Sequence, residues 1–345
     1  MKNFAKEYHK ILHPQIPEFL KPFLELPILT RLKGVGLLCS TDWTPLYHNY
    51  FPYSRFDHSL GCALITWNFT HNKMQTISAL LHDVSTPAFS HVGDFRKGDA
   101  LTQSSTEDLN QQMILEDSKL SDLLKPLGLT AEQVCNYHKF PVCDNEIPQL
   151  SSDRLEYMYP SGAALDKFWN LKSIRKNYND IIILKNQEGI DELGFKSKKQ
   201  AALYTKKFCQ ISLLLQHNEN KLTLQLMAQI MNIAVELKYL TEEQSYSLTE
   251  KQIIELFDKI ASEQKDSQFA KLYHAFRTMK KIKRSNVELE NHFNVCIEVK
   301  RRYIDPLVLQ KNGSAVRVSK IHKASARWIQ KALNFKDAKF GSIQL

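Results

Sequence analysis

One apolar segment of the chain ends on two adjacent polar side chains that both bind metals in proteins. The residues TISALLHD (76–83) are mostly apolar up to His82 and Asp83. This composition predicts a buried helix, which must pack against other elements of a core. A buried imidazole and a buried carboxylate also need partners. The surroundings of His82 and Asp83 are therefore the first question about function.

The rest of the chain is also typical of a helical protein. Its 345 residues include only 11 glycines and are rich in Leu, Lys, Glu and Gln, a composition that favours helix. Thr130 is a predicted helix N-cap. Residues 186–200 are either an excursion or the start of the next helix. Apolar positions at helical spacing predict helices over residues 30–39, 55–71, 74–83, 129–140, 147–159, 199–240 and 249–284.

The C-terminal part of the chain has a different pattern. The segments FNVCIEV (293–299) and LVLQKNGSAVRV (307–318) alternate between apolar and polar residues. The second segment contains Asn312–Gly313, which supplies the positive φ angles of a tight turn and predicts a β-hairpin. The sequence therefore predicts a mainly α protein with a small β-hairpin element near its C-terminus.

The charge of the chain suits anionic partners. The formal net charge is +9, which fits either a phosphorylated small molecule or nucleic acid. Solvated lysines explain the same number. We interpret the basic run KLYHAFRTMKKIKR (271–284) first as the solvent-exposed face of a surface helix. Nucleic acid is therefore a possible partner but not the favoured one.

Cysteine usage and hydropathy bear on location. The six cysteines form no CxxC pair, so we expect reduced, mostly buried thiols in a cytoplasmic protein. No apolar run approaches 18 residues, and the first residues lack the apolar segment of a signal peptide. The expectation is a protein without a membrane partner.

Histidines and acids inside the predicted helices are candidate metal ligands. They are His58, His82, Asp83 and Asp153, and imidazole with carboxylate suits a divalent first-row ion. Arg55 precedes His58 by three residues and so shares its helix face, where a planar guanidinium suits a phosphate. Spacing alone leaves a second interpretation open, in which each histidine is structural and each aspartate is a cap.

Three segments resemble the signature blocks of the HD-domain phosphohydrolases. They are SRFDHSLG (54–61), LLHDVSTPAFSH (80–91) and QLSSDRLEYM (149–158). The deoxynucleoside triphosphate triphosphohydrolases are the most similar branch, and the similarity covers about residues 25–160. The resemblance implies an HD-domain helical core and a metal set of His58, His82, Asp83 and Asp153.

The resemblance also implies a function. It is a metal-dependent phosphohydrolase that acts on a nucleotide or a related phosphorylated small molecule through metal-bound water, with Mn, Fe, Ni, Co, Zn or Mg as the divalent ion. Asp83, His91 and Glu107 are the implied catalytic residues, and Arg55 and Tyr157 are the implied substrate-binding residues. Related proteins form dimers or tetramers, so a homo-oligomer is plausible.

Four positions depart from the pattern of the triphosphohydrolases. Thr86 and Thr106 replace histidines, Ser161 replaces an aspartate that holds the sugar, and Leu37 replaces a glutamine near the nucleoside. Threonine cannot move a proton near neutral pH as histidine can. Triphosphohydrolase activity is therefore not expected, and a nucleotide-binding sensor with weakened catalysis is the alternative to an enzyme.

The predicted organisation has three parts. Residues 1–165 form the HD core with an N-terminal arm, residues 166–290 a helical extension packed on it, and residues 291–345 a small β-containing region.

Overall fold

The mainly α prediction is confirmed by the structure, a computed structural model that describes residues 4–103 and 108–345. Within these ranges the α-helices, numbered in chain order, are α1 Phe4–Leu12, α2 Pro27–Thr30, α3 Arg55–Thr70, α4 Lys73–Leu81, α5 Val92–Arg96, α6 Asp108–Glu116, α7 Ser118–Leu124, α8 Ala131–Val134, α9 Ser152–Asp166, α10 Leu171–Tyr178, α11 Lys198–Gln216, α12 Asn218–Glu236, α13 Glu242–Ser247, α14 Glu250–Glu263, α15 Gln268–Thr278, α16 Val318–Ile321 and α17 Lys323–Leu333.

Two small sheets accompany the helices. One is four-stranded with the order β1-β2-β5-β6, and the other is three-stranded with the order β3-β7-β4. The strands are β1 Ile181–Lys185, β2 Asp191–Phe195, β3 Lys283–Ser285, β4 His292–Val295, β5 Leu307–Leu309, β6 Ala315–Arg317 and β7 Phe340–Gln344. The predicted C-terminal hairpin is confirmed, because β5 and β6 pair antiparallel and Gly313 has φ +84° in the turn.

The helices that carry the candidate site begin and end as local sequence dictates. A capping box starts α3, in which Ser54 Oγ accepts from Asp57 N and the Asp57 carboxylate accepts from Ser54 N. Ser151 caps α9 by accepting from Arg154 N. The helix predicted over 147–159 therefore begins only at Ser152.

Several predicted elements differ in the structure. The helix expected over 129–140 is reduced to α8 and a 3₁₀ turn, and the helices expected over 199–240 and 249–284 are each divided in two, with residues 283–284 in β3. The helix expected over residues 30–39 ends as a 3₁₀ turn at Gly34, because Gly36 pairs with Ser54 in an isolated β-bridge and the chain turns toward α14. At Gly34 an added Cβ would lie 2.3 Å from Thr249 Cγ2. Only glycine therefore permits the backbone at position 34 to pack this closely against Thr249. The segment 186–200 was expected to be an excursion or the start of the next helix. It contains the turn and the second strand of the β1–β2 hairpin, and α11 begins near its end, at Lys198.

The apolar side chains form two main clusters. The first contains residues of α1, α3, α4, α9 and α11, together with Ile304, Val308 and Val318 from the C-terminal part. The second contains residues of α5, α12, α14 and α15, together with Val295 and Val299. The C-terminal part therefore contributes to both cores.

Two expectations about the environment can be compared with the structure. Among the described residues, no helix combines the length and apolar character needed to cross a membrane. All six cysteines are free thiols, and Cys296 alone among them is exposed.

Candidate metal centre and its cavity

Three elements bring the four candidate ligands together. His58 lies inside α3 and is buried, His82 and Asp83 directly follow α4, and Asp153 lies in the first turn of α9. Arg31 fixes the segment after the His82–Asp83 pair, because its guanidinium donates to the carbonyl oxygens of residues 84 and 86.

The ligand-type atoms of these residues lie at the spacing of a coordination shell. His58 Nε2 is 3.2 Å from His82 Nε2, 3.1 Å from Asp153 Oδ1 and 3.7 Å from Asp83 Oδ2. His82 Nε2 is 3.7 Å from both Asp153 Oδ1 and Asp83 Oδ2. Atoms bound to one ion at about 2.1 Å, with angles of about 90–125°, lie about 3.0–3.7 Å apart. The measured distances are therefore those expected around one divalent ion.

Hydrogen bonds at the far side of each ring orient the imidazoles toward the same point. His58 Nδ1 lies 2.5 Å from Glu156 Oε2, and His82 Nδ1 lies 2.8 Å from the carbonyl oxygen of Ala79. A carbonyl oxygen requires Nδ1–H of His82, and a carboxylate favours Nδ1–H of His58, which leaves an acceptor lone pair on each Nε2. Two such lone pairs 3.2 Å apart repel each other, and a metal ion bound by both would remove that repulsion. Histidines that bind metals typically donate their other ring N–H to a carboxylate or a backbone carbonyl oxygen in this way.

Asp83 is held from two sides. Its Oδ2 accepts from Arg55 Nη1 at 2.8 Å, and its Oδ1 accepts from Thr86 Oγ1 at 3.1 Å. Burial by itself would raise the pKa of the Asp83 carboxyl, but the positive charge of Arg55 beside it holds that pKa below its usual range. Asp83 is therefore an ionised ligand at neutral pH.

Cys62 lies beside the cluster but is a poor ligand. Its Sγ is 3.7 Å from His58 Nδ1, one helical turn along α3. Burial raises the pKa of the Cys62 thiol well above its usual value, and the thiolate is the form that binds metals.

Arg55 is oriented by a strained loop. Arg55 Nε donates to Ser90 Oγ at 3.0 Å, and Ser90 Oγ donates to Gly36 O at 2.9 Å. Phe89 and Ser90 have φ of +63° and +53°, the left-handed region that costs free energy for residues other than glycine. Such strain is typical of functional loops.

His91 follows this loop and is paired with an acid. Its Nδ1 lies 2.9 Å from Asp94 Oδ2, and the Asp94 side chain is fully buried. Burial lowers the pKa of His91, the hydrogen bond to Asp94 opposes that change, and the positive charges of Arg55 and Arg302 add to the lowering.

All the described candidates line one cavity of about 710 Å³. Besides the four ligands, its wall contains Arg55, His91 and Tyr157. The Tyr157 ring centroid lies 6.4 Å from that of His58. Glu107 and Thr106 lie outside the described residues, so the predicted role of Glu107 stays a prediction.

The departures from the triphosphohydrolase pattern are distributed over the site. Leu37 and Ser161 line the cavity, to which they contribute an apolar side chain and a neutral hydroxyl. Thr86 does not line it, because its hydroxyl is bound to Asp83.

Several residues of the site were not among the candidates predicted from the sequence. Glu156, the partner of His58, is fully buried, and its position three residues after Asp153 on the same helix face was the available signal. His138 also lines the cavity, with Nδ1 2.9 Å from Asp144 Oδ2. Arg302 also lines it, from the opposite end of the chain.

A second group of ligand-type side chains lies apart from this centre. His217, Glu219 and Asp337 are near one another, but Arg284 bridges the two carboxylates, at 2.5 Å from Glu219 Oε2 and 3.0 Å from Asp337 Oδ1. A guanidinium therefore already supplies the positive charge there.

Comparisons with known proteins agree with this geometry. No family model matches the chain. It is 26% identical over 147 residues to the uncharacterized protein YdhJ of Bacillus subtilis, a match that covers 40% of this chain and 41% of YdhJ. It is 27% identical over 117 residues to the metal-dependent phosphohydrolase cns2 of Cordyceps militaris, covering 33% of this chain and 32% of that protein. The chain thus spans less than half the length of both curated relatives.

Solved structures share the fold over nearly the whole chain. A phosphohydrolase from Bacteroides thetaiotaomicron has a TM-score of 0.63 at 13% identity, over 96% of both chains. A hypothetical protein from Aquifex aeolicus has a TM-score of 0.59 at 14% identity, over 95% of this chain and 92% of that one. At these identities the likeness shows the fold, so this chain has the fold of the Bacteroides protein.

Proposed function

We propose that the protein is a metal-dependent phosphohydrolase that acts on a nucleotide or a related phosphorylated small molecule. The observation that carries the proposal is the pair of imidazole Nε2 atoms 3.2 Å apart. Both rings are oriented by their Nδ1 partners toward Asp153 and Asp83. The similarity to cns2, named a metal-dependent phosphohydrolase, supports the same class of activity.

His58, His82, Asp83 and Asp153 would hold the divalent ion. Such an ion supplies Lewis-acid chemistry, since it acidifies water and withdraws electron density from a phosphoryl oxygen. We propose that the ion is Mn, Fe, Co, Ni or Zn, because two imidazoles with two carboxylates suit these metals better than Mg.

Arg55 would bind the phosphate. Nη1 and Nε of its guanidinium are already held by Asp83 and Ser90. In the described part of the chain, no hydrogen bond involves Nη2. The group is thereby fixed next to the metal ligands with one donor edge available, which favours a phosphoryl oxygen as its remaining partner.

His91 would act as a proton carrier beside the phosphate. Its ring is fixed by Asp94 and lines the cavity, and its pKa is lowered, so the neutral ring predominates at neutral pH. The Nδ1 contact with Asp94 leaves Nε2 as the atom that exchanges a proton. Tyr157 would contact the substrate from the same wall.

The proposed substrate is not a deoxynucleoside triphosphate cleaved to triphosphate. Leu37 and Ser161 face the cavity in place of polar nucleoside partners, and loss of a general acid at Thr106 would cost about 10²–10⁴ in rate. A pyrophosphate-linked nucleotide or a monophosphate needs less acid assistance to its leaving group.

A hydrolysis screen tests the proposal. The purified protein, supplied with Mn²⁺ or Mg²⁺, is assayed on nucleoside mono-, di- and triphosphates and on pyrophosphate-linked nucleotides. We expect phosphate or nucleotide release from at least one compound and slow triphosphate release from deoxynucleoside triphosphates. Triphosphate release above about 1 s⁻¹, an ordinary enzyme rate, would contradict the substrate assignment.

One observation favours the sensor alternative. The Thr86 hydroxyl donates to Asp83, so this position contributes no proton donor to the cavity. Single-turnover release of phosphate with excess protein distinguishes the two functions. A sensor binds nucleotide without any release, whereas an enzyme of low turnover completes one cycle.

A further inference from the structure

A short C-terminal segment lies along the wall of the cavity. Residues 299–304, here called the strap, connect the two hydrophobic cores, because Val299 is buried in the second core and Ile304 in the first. Val299, Lys300 and Arg302 all line the cavity. The strap is thus anchored at both ends and presents basic side chains between its anchors.

Hydrogen bonds fix the backbone of the strap. Lys300 N donates to Ala100 O at 3.0 Å, and the Ser212 hydroxyl of α11 donates to the carbonyl oxygen of Arg302. A residue held in this way has little backbone freedom left to lose when it binds a ligand, which favours binding.

The charge of Arg302 has no acidic partner in the described residues. Its guanidinium donates to the Oε1 atom of Gln103, an uncharged acceptor, and forms no ion pair there. The side chain is half-buried, and a cation taken partly out of water without a counter-charge is unfavourable. An anion in the cavity would remove that cost.

Arg302 shares the wall of the cavity with His91 and Tyr157. Its charge adds to the lowering of the pKa of His91 that burial causes. It also opposes the rise in the pKa of Tyr157 that burial causes. Arg55 acts on His91 in the same direction, so two guanidiniums from different elements converge on this part of the wall.

We infer that Arg302 binds a second anionic group of the substrate, beside the phosphate assigned to Arg55. The inference rests on the proposed function and narrows its substrate class to compounds with two linked phosphoryl groups. Each guanidinium presents a planar fork that matches two oxygens of one phosphoryl group. Two forks on the wall of one cavity therefore match a diphosphate better than a single phosphate.

Anion binding tests the inference without requiring turnover. The full-length, metal-loaded protein is titrated with inorganic phosphate and with pyrophosphate by calorimetry, and its metal content is measured after each titration. We expect wild type to bind pyrophosphate more tightly than phosphate. Arg302→Gln should weaken pyrophosphate binding about 10- to 100-fold, as expected for a lost hydrogen bond to a charged group, and leave phosphate binding unchanged.

A neighbouring arginine is the matched control. Arg301 is exposed, donates to the carbonyl oxygen of Leu333 and does not line the cavity. Arg301→Gln should therefore bind both anions as wild type does. Arg302→Lys, which keeps the charge without the fork, should lie between wild type and Arg302→Gln.

The outcomes separate this inference from the proposed function. Equal weakening of both anions in Arg302→Gln, or no weakening, would overturn the role of Arg302 while the phosphohydrolase proposal stands. Failure of wild type to bind either anion would overturn both. The inference is supported if Arg302→Gln, but not Arg301→Gln, loses the tighter binding of pyrophosphate relative to phosphate. This holds whether or not a hydrolysed substrate has been found.

Discussion

At the scale of single residues, the candidate metal centre brings two imidazoles and two carboxylates together, and a shared divalent ion would balance their charges. Two imidazole lone pairs and two carboxylates converge within 3.1–3.7 Å of one another in the five measured pairs. Arg55 offsets part of this negative charge from the edge, through Asp83. Removing any one ligand should therefore affect metal binding far more than folding.

The first prediction is that His82→Ala loses the metal. Three remaining ligands seldom retain a first-row ion against buffer and solvent competition. Wild type should carry close to one divalent ion per chain by elemental analysis, and the variant should carry almost none. His71→Ala, which alters an exposed histidine at the end of α3, should keep the wild-type content. Full occupancy of the His82→Ala protein would show that the cluster is structural.

The second prediction concerns Glu156, which touches no substrate. Its carboxylate orients His58 and also accepts from Tyr53 Oη at 2.6 Å. Loss of such an orienting partner costs about 10–100-fold in metal affinity. Glu156→Gln should therefore raise the metal dissociation constant by that factor in competition with a chelator. Glu132→Gln, at an exposed position of α8, should leave the constant unchanged, and equal constants for both variants would contradict the role of Glu156.

At the scale of elements, the site loops depend on a helix of the other core. Glu250, the first residue of α14, is buried, and its carboxylate accepts from Gly36 N at 2.8 Å, Phe89 N at 3.0 Å and Trp43 Nε1 at 2.7 Å. One side chain thus ties the segment before α3 to the strained loop that orients Arg55.

The third prediction is a pH dependence of stability that comes from Glu250. Burial raises the pKa of its carboxyl to about 7, although three N–H groups donate to it. Between its ordinary pKa of 4.5 and about 7 the unfolded chain is ionised and the folded chain holds the proton. The contribution of Glu250 to stability should therefore be greatest below pH 4.5 and fall as pH rises to about 7, by about 3 kcal/mol.

Comparison with a variant isolates this contribution from other titrating groups. The free energy of unfolding is measured by urea denaturation from about pH 4.5 to 8 for wild type and Glu250→Gln. The difference between the two should shift against wild type as pH rises and become constant above about pH 7. A difference that is constant over the whole range would show that Glu250 is already ionised at the acidic end of the range in the folded state.

The elements also show which parts of the molecule were predictable. The helices around His58 and His82 follow from local apolar spacing and capping, so sequence and structure agree there. The β1–β2 hairpin was missed although Ile181–Ile183 is β-branched and Asn186 and Gly189 form its turn, with φ +78° at Gly189. The helix-favouring composition of the surrounding chain outweighed that local signal.

Long-range partners could not be predicted from local patterns. The contact between Glu250 and Gly36 joins residues 214 positions apart, and that between Arg302 and Gln103 joins residues 199 apart. Spacing along the chain carries no information about such pairs. The candidate metal ligands were predicted because the resemblance links distant segments, whereas the residues that orient them became visible only in three dimensions.

At the scale of the whole molecule, the two cores meet through the C-terminal part. The four-stranded sheet also joins distant segments, because β2 pairs in parallel with β5. The division into residues 1–165, 166–290 and 291–345 remains a proposal about organisation. The described packing leads us to expect that these parts unfold together.

The last prediction therefore concerns cooperativity, and Ile304 is the residue that tests it. Ile304 is fully buried in the first core at one end of the strap, and truncation of a buried isoleucine to alanine costs about 2–5 kcal/mol. Wild type should show one urea transition, with the same midpoint by far-ultraviolet circular dichroism and by tryptophan fluorescence. Ile304→Ala should lower that shared midpoint, because weakening one end of the strap weakens both cores. Lys311→Ala, in the exposed β5–β6 turn, should leave it in place. If Ile304→Ala instead separated the transitions seen by the two probes, residues 291–345 would be an independently unfolding unit and the strap would not couple the cores.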